Sequence, residues 1–98
     1  MKNIEVKLSF DEKVFGAIME GVFKEYTNEW IVECGIRDKW EFRSRIVGLK
    51  HDNNFRKITR NALKLACGLD CKGVELTYIV NESVEGFLEA FDEEFNED

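Results

Sequence analysis

His51 is the one histidine in the chain, and Asp52 follows it directly. A carboxylate beside an imidazole can orient the ring and support its charged form, which is how a general base is built. Catalysis would also need a nucleophile or a second acid. Ser44, Thr59 and the three cysteines have no spacing that supplies one. Cys34, Cys67 and Cys71 are odd in number and cannot all pair within the chain. The Cys67-x3-Cys71 interval differs from the CxxC of redox and zinc sites, and one histidine leaves too few ligands for a tetrahedral metal. Glu29 and Glu33 resemble a carboxylate pair, yet Ile31 stands between them on an expected strand face and no acid–base partner is evident. Neither G-x-G-x-x-G nor G-x-x-x-x-G-K-[ST] occurs. The reading is no catalytic residue, no metal site and no cofactor.

Charge carries more information than these motifs do. The net charge of −6 averages three unlike stretches. Residues 1–36 carry −3, residues 37–72 carry +6, and residues 73–98 carry −9 without a single Lys or Arg. Such asymmetry bears on partners more than on fold. On the basic side, Arg56, Arg60 and Lys64 recur every four residues, so a helix would align them in one outward stripe with Lys57 beside it. Arg43 and Arg45 would share one face of a strand, with Lys50 in the loop beyond. On the acidic side, Glu82, Glu85, Glu89, Asp92, Glu93 and Glu94 surround the apolar stripe of an expected last helix. Acidic groups in a final turn oppose the helix dipole, so Asp92, Glu93 and Glu94 cost local stability and hint at a use for the negative surface. The two surfaces could also neutralise one another.

The elements that must position these groups are read from periodicity. Ile4, Val6, Leu8 and Phe10 alternate with polar residues and predict a strand. Ser9 to Glu12 matches a capping box, with Asp11 as a rival cap, ahead of a helix running to about Tyr26. Its inner stripe is Phe15, Ile18, Met19, Val22, Phe23 and Tyr26. Gly16 and Gly21 within it suggest a close backbone contact. Trp30 to Ile36 and Trp40 to Ile46 alternate and predict a hairpin across Arg37-Asp38-Lys39. Asp52-Asn53-Asn54 would cap a second helix that buries Phe55, Ile58, Ala62 and Leu65 or Ala66, with Gly68 closing it. Val74 to Val80 predicts a strand, and Val84, Phe87, Leu88, Phe91 and Phe95 predict a last amphipathic helix packed on the rest. Glu97 and Asp98 are expected to fray.

The order β-α-β-β-α-β-α predicts an α+β fold, a ferredoxin-like βαββαβ sandwich with an extra C-terminal helix, as a single domain over 1–98. The length and the 44% apolar share are sufficient for one core without metals or disulfides. MKNIEV lacks the pattern of a signal peptide, and no apolar run reaches the roughly 20 residues of a membrane span. With unpaired cysteines, this predicts a soluble cytoplasmic protein that does not engage membranes.

Trp40 and Phe42 raise the question of base stacking, but Lys39 to Ile46 does not match the RNA-recognition consensus, and both side chains are expected in the core. Small size, absent catalytic groups and sorted charge make the chain similar to small acidic phage- or mobile-element-encoded inhibitors, such as anti-CRISPR and other anti-defence proteins. The resemblance implies a non-catalytic inhibitor that blocks a host protein, for instance a nucleic-acid-processing enzyme, through charged and aromatic contacts. The residues expected to meet a partner are Arg43, Arg45, Arg56, Lys57, Arg60 and Lys64 on the basic side and Glu85, Glu89, Asp92 and Glu93 on the acidic side. The alternatives are direct RNA or DNA binding through the basic 43–64 surface, and a dimeric small-ligand or regulatory domain. The expected oligomeric state is monomer or homodimer.

Overall fold

Leu76, Val80, Val84 and Leu88 recur every four residues, an interval that stacks side chains on one helix face. All four are buried. The computed structural model describes the backbone of residues 2–95 and the side chains of 12–94. In it these residues form the spine of the last of four helices. They are α1 (Lys2–Val32), α2 (Lys39–Gly48), α3 (Asn53–Cys67) and α4 (Gly73–Phe95), with a single 3-10 turn at Leu49–His51. No strand occurs among the described residues, so the fold is all-helical and the ferredoxin-like α+β expectation is overturned.

Each expected strand became helix or turn for a physical reason. Residues 4–10 continue α1, so the expected capping box at Ser9–Glu12 lies inside a helix rather than at its start. Trp30 to Ile36 is the last turn of α1 and its exit loop. There Gly35 takes φ 66°, and the Ile36 N–H donates back to the Trp30 carbonyl at 3.1 Å. This left-handed glycine, with a hydrogen bond reaching back six residues, turns the chain out of α1. Trp40 to Ile46 lies in α2, where Asp38 caps the N-terminus by accepting from the Trp40 N–H. Val74 to Val80 is the first half of α4.

The second expected helix is α3 and begins as foreseen. Asp52 Oδ1 accepts from the N–H groups of Asn54 and Phe55, at 2.8 and 3.3 Å. Gly68 closes the helix at φ 68°. Phe55 and Ala62 are buried and Ile58 and Ala66 half-buried, but Leu63 takes the inward place offered to Leu65, which is 82% exposed. Thr59 is fully buried, and its hydroxyl is satisfied by donating to the Phe55 carbonyl at 2.8 Å.

The stripe expected on α1 does face the core, with Met19 buried and Phe15, Ile18, Val22, Phe23 and Tyr26 packed against it. The close backbone contact expected at Gly16 and Gly21 is not found among the described residues, since none of them lies within 4 Å of where a Cβ would stand. Val84, Phe87, Leu88 and Phe91 pack α4 inward as expected, while the Phe95 side chain and residues 96–98, including the expected fraying, lie outside the described residues.

Aromatic rings tie the helices together. Phe42 lies parallel to Phe91 and edge-on to Trp30, and Phe55 meets Tyr26 and Phe87 edge-on. Offset and edge-to-face pairs add about 0.5–1.5 kcal/mol each beyond the area they bury. α1 packs chiefly on α3, and α4 packs on α2 and α3. Among the described residues, the backbones of α1 and α4 lie farther apart than those of α1 and α3. They meet through side chains, above all the Phe23–Phe87 stack at 4.3 Å, which leaves a groove between them.

Candidate functional site

The helical fold rearranges the charged residues. On a strand Arg43 and Arg45 would share a face; on α2, two residues apart, they point about 200° apart. Arg43 turns to α4 and donates from Nε and Nη2 to both oxygens of Asp92, each at 3.0 Å. Arg45 turns the other way and is exposed, with Nη1 4.0 Å from the Cys34 sulfur. Lys50, beyond α2, pairs with Glu85.

α3 does align Arg56, Arg60 and Lys64, but the first two are engaged. Arg56 donates to the Thr77 hydroxyl at 2.7 Å and to the Gly73 carbonyl at 3.0 Å. Arg60 grips Asp70 in the α3–α4 loop at 2.8 and 3.3 Å, and Lys72 lies 3.8 Å from the same carboxylate. Lys57 and Lys64 remain exposed. The hydrogen bonds from Arg60 and Arg43 hold the Asp70 and Asp92 carboxyls below their ordinary range, against a smaller opposing effect of partial burial. The expected basic patch is thus largely spent within the molecule.

The acidic side divides differently. Glu85 and Asp92 flank the core face and are held by Lys50 and Arg43. Glu75, Glu82 and Glu89 are seven residues apart, which returns them within about 20° of one helix line, and Glu93 extends the same outer face. All four are exposed, and none makes an ion pair among the described residues. The row spans about 27 Å at 1.5 Å per residue. Tyr78, 64% exposed, stands beside it.

No protein family, curated protein or solved structure matches this chain.

Of the expected partner-binding residues, Glu89 and Glu93 lie on the open row; Arg43, Arg56, Arg60, Glu85 and Asp92 are engaged internally; Arg45, Lys57 and Lys64 are exposed elsewhere. Glu75 and Tyr78 were missed because their segment reads as a strand, although the interval of seven linking Glu75, Glu82 and Glu89 marks a helix face. Trp40 is a second correction. It is 68% exposed rather than in the core, with the Lys39 ammonium 5.4 Å from its ring centre, whereas Phe42 is inside as expected.

The remaining chemical candidates are dispersed. His51 is exposed in the 3-10 turn, and its neighbour Asp52 is committed to capping α3. Cys34 is exposed, Cys67 half-buried and Cys71 buried, and burial pushes the Cys71 thiol up. Glu29 is exposed in the last turn of α1 and Glu33 is exposed in the turn just beyond it. No group of three His, Cys, Asp or Glu side chains gathers as a metal set among the described residues. No helix there is long and apolar enough to cross a membrane.

Proposed function

We propose that the chain is a non-catalytic protein-binding module whose acidic α4 face docks on a basic groove of a partner protein and blocks it, as small phage-type inhibitors do. The observation that carries this reading is the contrast along α4. Glu85 and Asp92 are neutralised from within, whereas Glu75, Glu82, Glu89 and Glu93 carry exposed charge with no ion-pair partner among the described residues. Four exposed carboxylates on one helix face raise the local negative potential, which steers association with a basic surface and penalises acidic ones. Tyr78 supplies an aromatic contact beside them.

The spacing favours local docking over imitation of a nucleic-acid backbone. Four charges along about 27 Å stand roughly 9 Å apart on average. Duplex phosphates recur every ~3.4 Å of rise per strand. Discrete Lys or Arg groups on a protein match the sparser row better.

Direct nucleic-acid binding through residues 43–64 has less support, because Arg43, Lys50 and Arg60 are ion-paired and Arg56 is bound to Thr77 and Gly73. The test is capture from a nuclease-treated bacterial lysate by the wild type and by the quadruple variant Glu75→Gln, Glu82→Gln, Glu89→Gln, Glu93→Gln. A stoichiometric protein held by the wild type and lost by the variant supports the reading. Equal capture by both, or capture that disappears with nuclease, overturns it.

A further inference from the structure

The groove between α1 and α4 has a distinct chamber beside the carboxylate row. It encloses about 510 Å³. Its lining includes Phe15 of α1, the buried Leu63 of α3, and Ile79 and the 64% exposed Tyr78 of α4. Among the described residues, its charged lining is Glu12 from α1 and Glu82 from α4, both exposed. The volume lies within the ~300–1,000 Å³ of pockets that hold small ligands, so it admits more than one apolar side chain. Glu82 belongs both to this lining and to the open row, which joins the two features into one surface.

We propose that this chamber receives an amphipathic helix of the partner, with apolar side chains entering the groove and Lys or Arg flanking them. The proposal rests on the acidic-face reading above and names what that face recognises. Charge complementarity selects the occupant: acidic residues from both helices, continued by Glu75 and Glu89 along α4, favour cations on either side of an apolar stripe and disfavour anionic ligands. Backbone geometry selects the helix. α1 and α4 run in the same direction, since Phe15 lies with Ile79 while Phe23 stacks on Phe87. A cleft between two such helices suits helix-in-groove docking. Strand addition needs a free sheet edge, and the described residues contain no sheet.

The test uses a synthetic peptide of about 18 residues, ~27 Å long as a helix, made only of Leu and Lys with Leu at helical spacing. A scrambled peptide of the same composition is the control. Binding to the whole chain is read by fluorescence anisotropy at about 0.15 M salt. The patterned peptide is expected to bind about tenfold or more tightly than the scrambled one. Ser83→Trp, which fills the chamber from its lining, should erase that preference, and Tyr78→Ala in the exposed part of the lining should reduce it even if Ser83→Trp does not fold. Neutralising Glu75, Glu89 and Glu93 should weaken both peptides while leaving the preference in place.

Equal binding of the two peptides, or a preference untouched by either chamber variant, overturns the proposal. If the peptides bind equally but both weaken on neutralisation, the chamber is excluded and the acidic face stands. If neutralisation changes nothing, the acidic face falls as well. A dimer in sedimentation equilibrium that Tyr78→Ala dissolves would assign the chamber to a second copy and overturn the proposal.

Discussion

Arg43 and Asp92, 49 residues apart in sequence, meet through two parallel hydrogen bonds of 3.0 Å each. This fork–fork contact fixes the side of α2 that faces α4 and pairs one arginine with one carboxylate at the surface. With Lys50–Glu85 it binds the basic middle of the chain to its acidic end, while Arg60–Asp70 closes a pair within the middle itself. Charge sorted along the sequence is therefore partly an assembly device, and what it leaves unpaired on α4 is the candidate working face.

The pairs give the fold a pH dependence with a definite sign. The folded carboxyls of Asp70 and Asp92 are held below their ordinary range, first by the hydrogen bonds from Arg60 and Arg43. A depressed folded pKa contributes stability that is present above the unfolded value, near pH ~4, and lost as pH falls through the folded one. Acid titration of the melting temperature should therefore be shallower below about pH 4 in an Arg43→Gln, Arg60→Gln variant than in the wild type. Both pairs are solvent-accessible, so added salt should shrink the difference. Identical acid slopes would show that the pairs contribute nothing.

Removing the aromatic hub should be costly. Phe55 is fully buried and touches Tyr26 and Phe87 edge-on. Phe55→Ala should cost about 3–5 kcal/mol in denaturant unfolding. By contrast, the exposed Trp40→Ala should stay within about 0.5 kcal/mol. A large loss at Trp40 would place that ring in the core after all.

The cap of α3 gives a smaller, local effect. Asp52 receives two backbone N–H groups of the first turn. Asp52→Ala should cost about 1 kcal/mol, and Asp52→Asn much less, because the amide oxygen can accept the same bonds. Chemical denaturation of the three proteins measures the order directly.

The thiols should react in order of access. Cys34 is exposed, while Cys71 is buried and its thiol is pushed up by that burial, with Glu75 and Asp70 adding to the effect. A raised pKa lowers the thiolate fraction that attacks alkylating reagents. Labelling with iodoacetamide near pH 8 should modify Cys34 first and Cys71 only on unfolding, a sequence that mass spectrometry resolves. Early labelling of Cys71 would contradict the packing of the α3–α4 loop.

What was legible in the sequence was the helix signals that have one meaning. Asp52 and Gly68 bracket α3, and the α1 stripe from Phe15 to Tyr26 faces the core. The strands were misread because strict alternation contains an interval of four. In Val74-x-Leu76-x-Tyr78-x-Val80, the pair Leu76 and Val80 is the buried helix face, while Val74 and Tyr78 are exposed. In Trp40-x-Phe42-x-Ser44-x-Ile46, Ile46 is buried and Phe42 packs against the core, while Trp40 and Ser44 are exposed. Extending each segment by one turn, to Val84 or Leu49, separates the two periods. Gly35 carried the missing stop signal for α1. The pairing of Arg43 with Asp92 was not legible, because it depends on how α2 crosses α4.

The most direct test of the central claim compares two fold-checked variants by quantitative capture of the nuclease-resistant protein partner. One neutralises the open row with Glu75→Gln, Glu82→Gln, Glu89→Gln and Glu93→Gln; the other neutralises internally paired cations with Arg43→Gln and Arg60→Gln. The account predicts a loss of about tenfold or more in the first and little change in the second. Undiminished capture by the first, with loss in the second, would contradict it and move the working face to the basic residues.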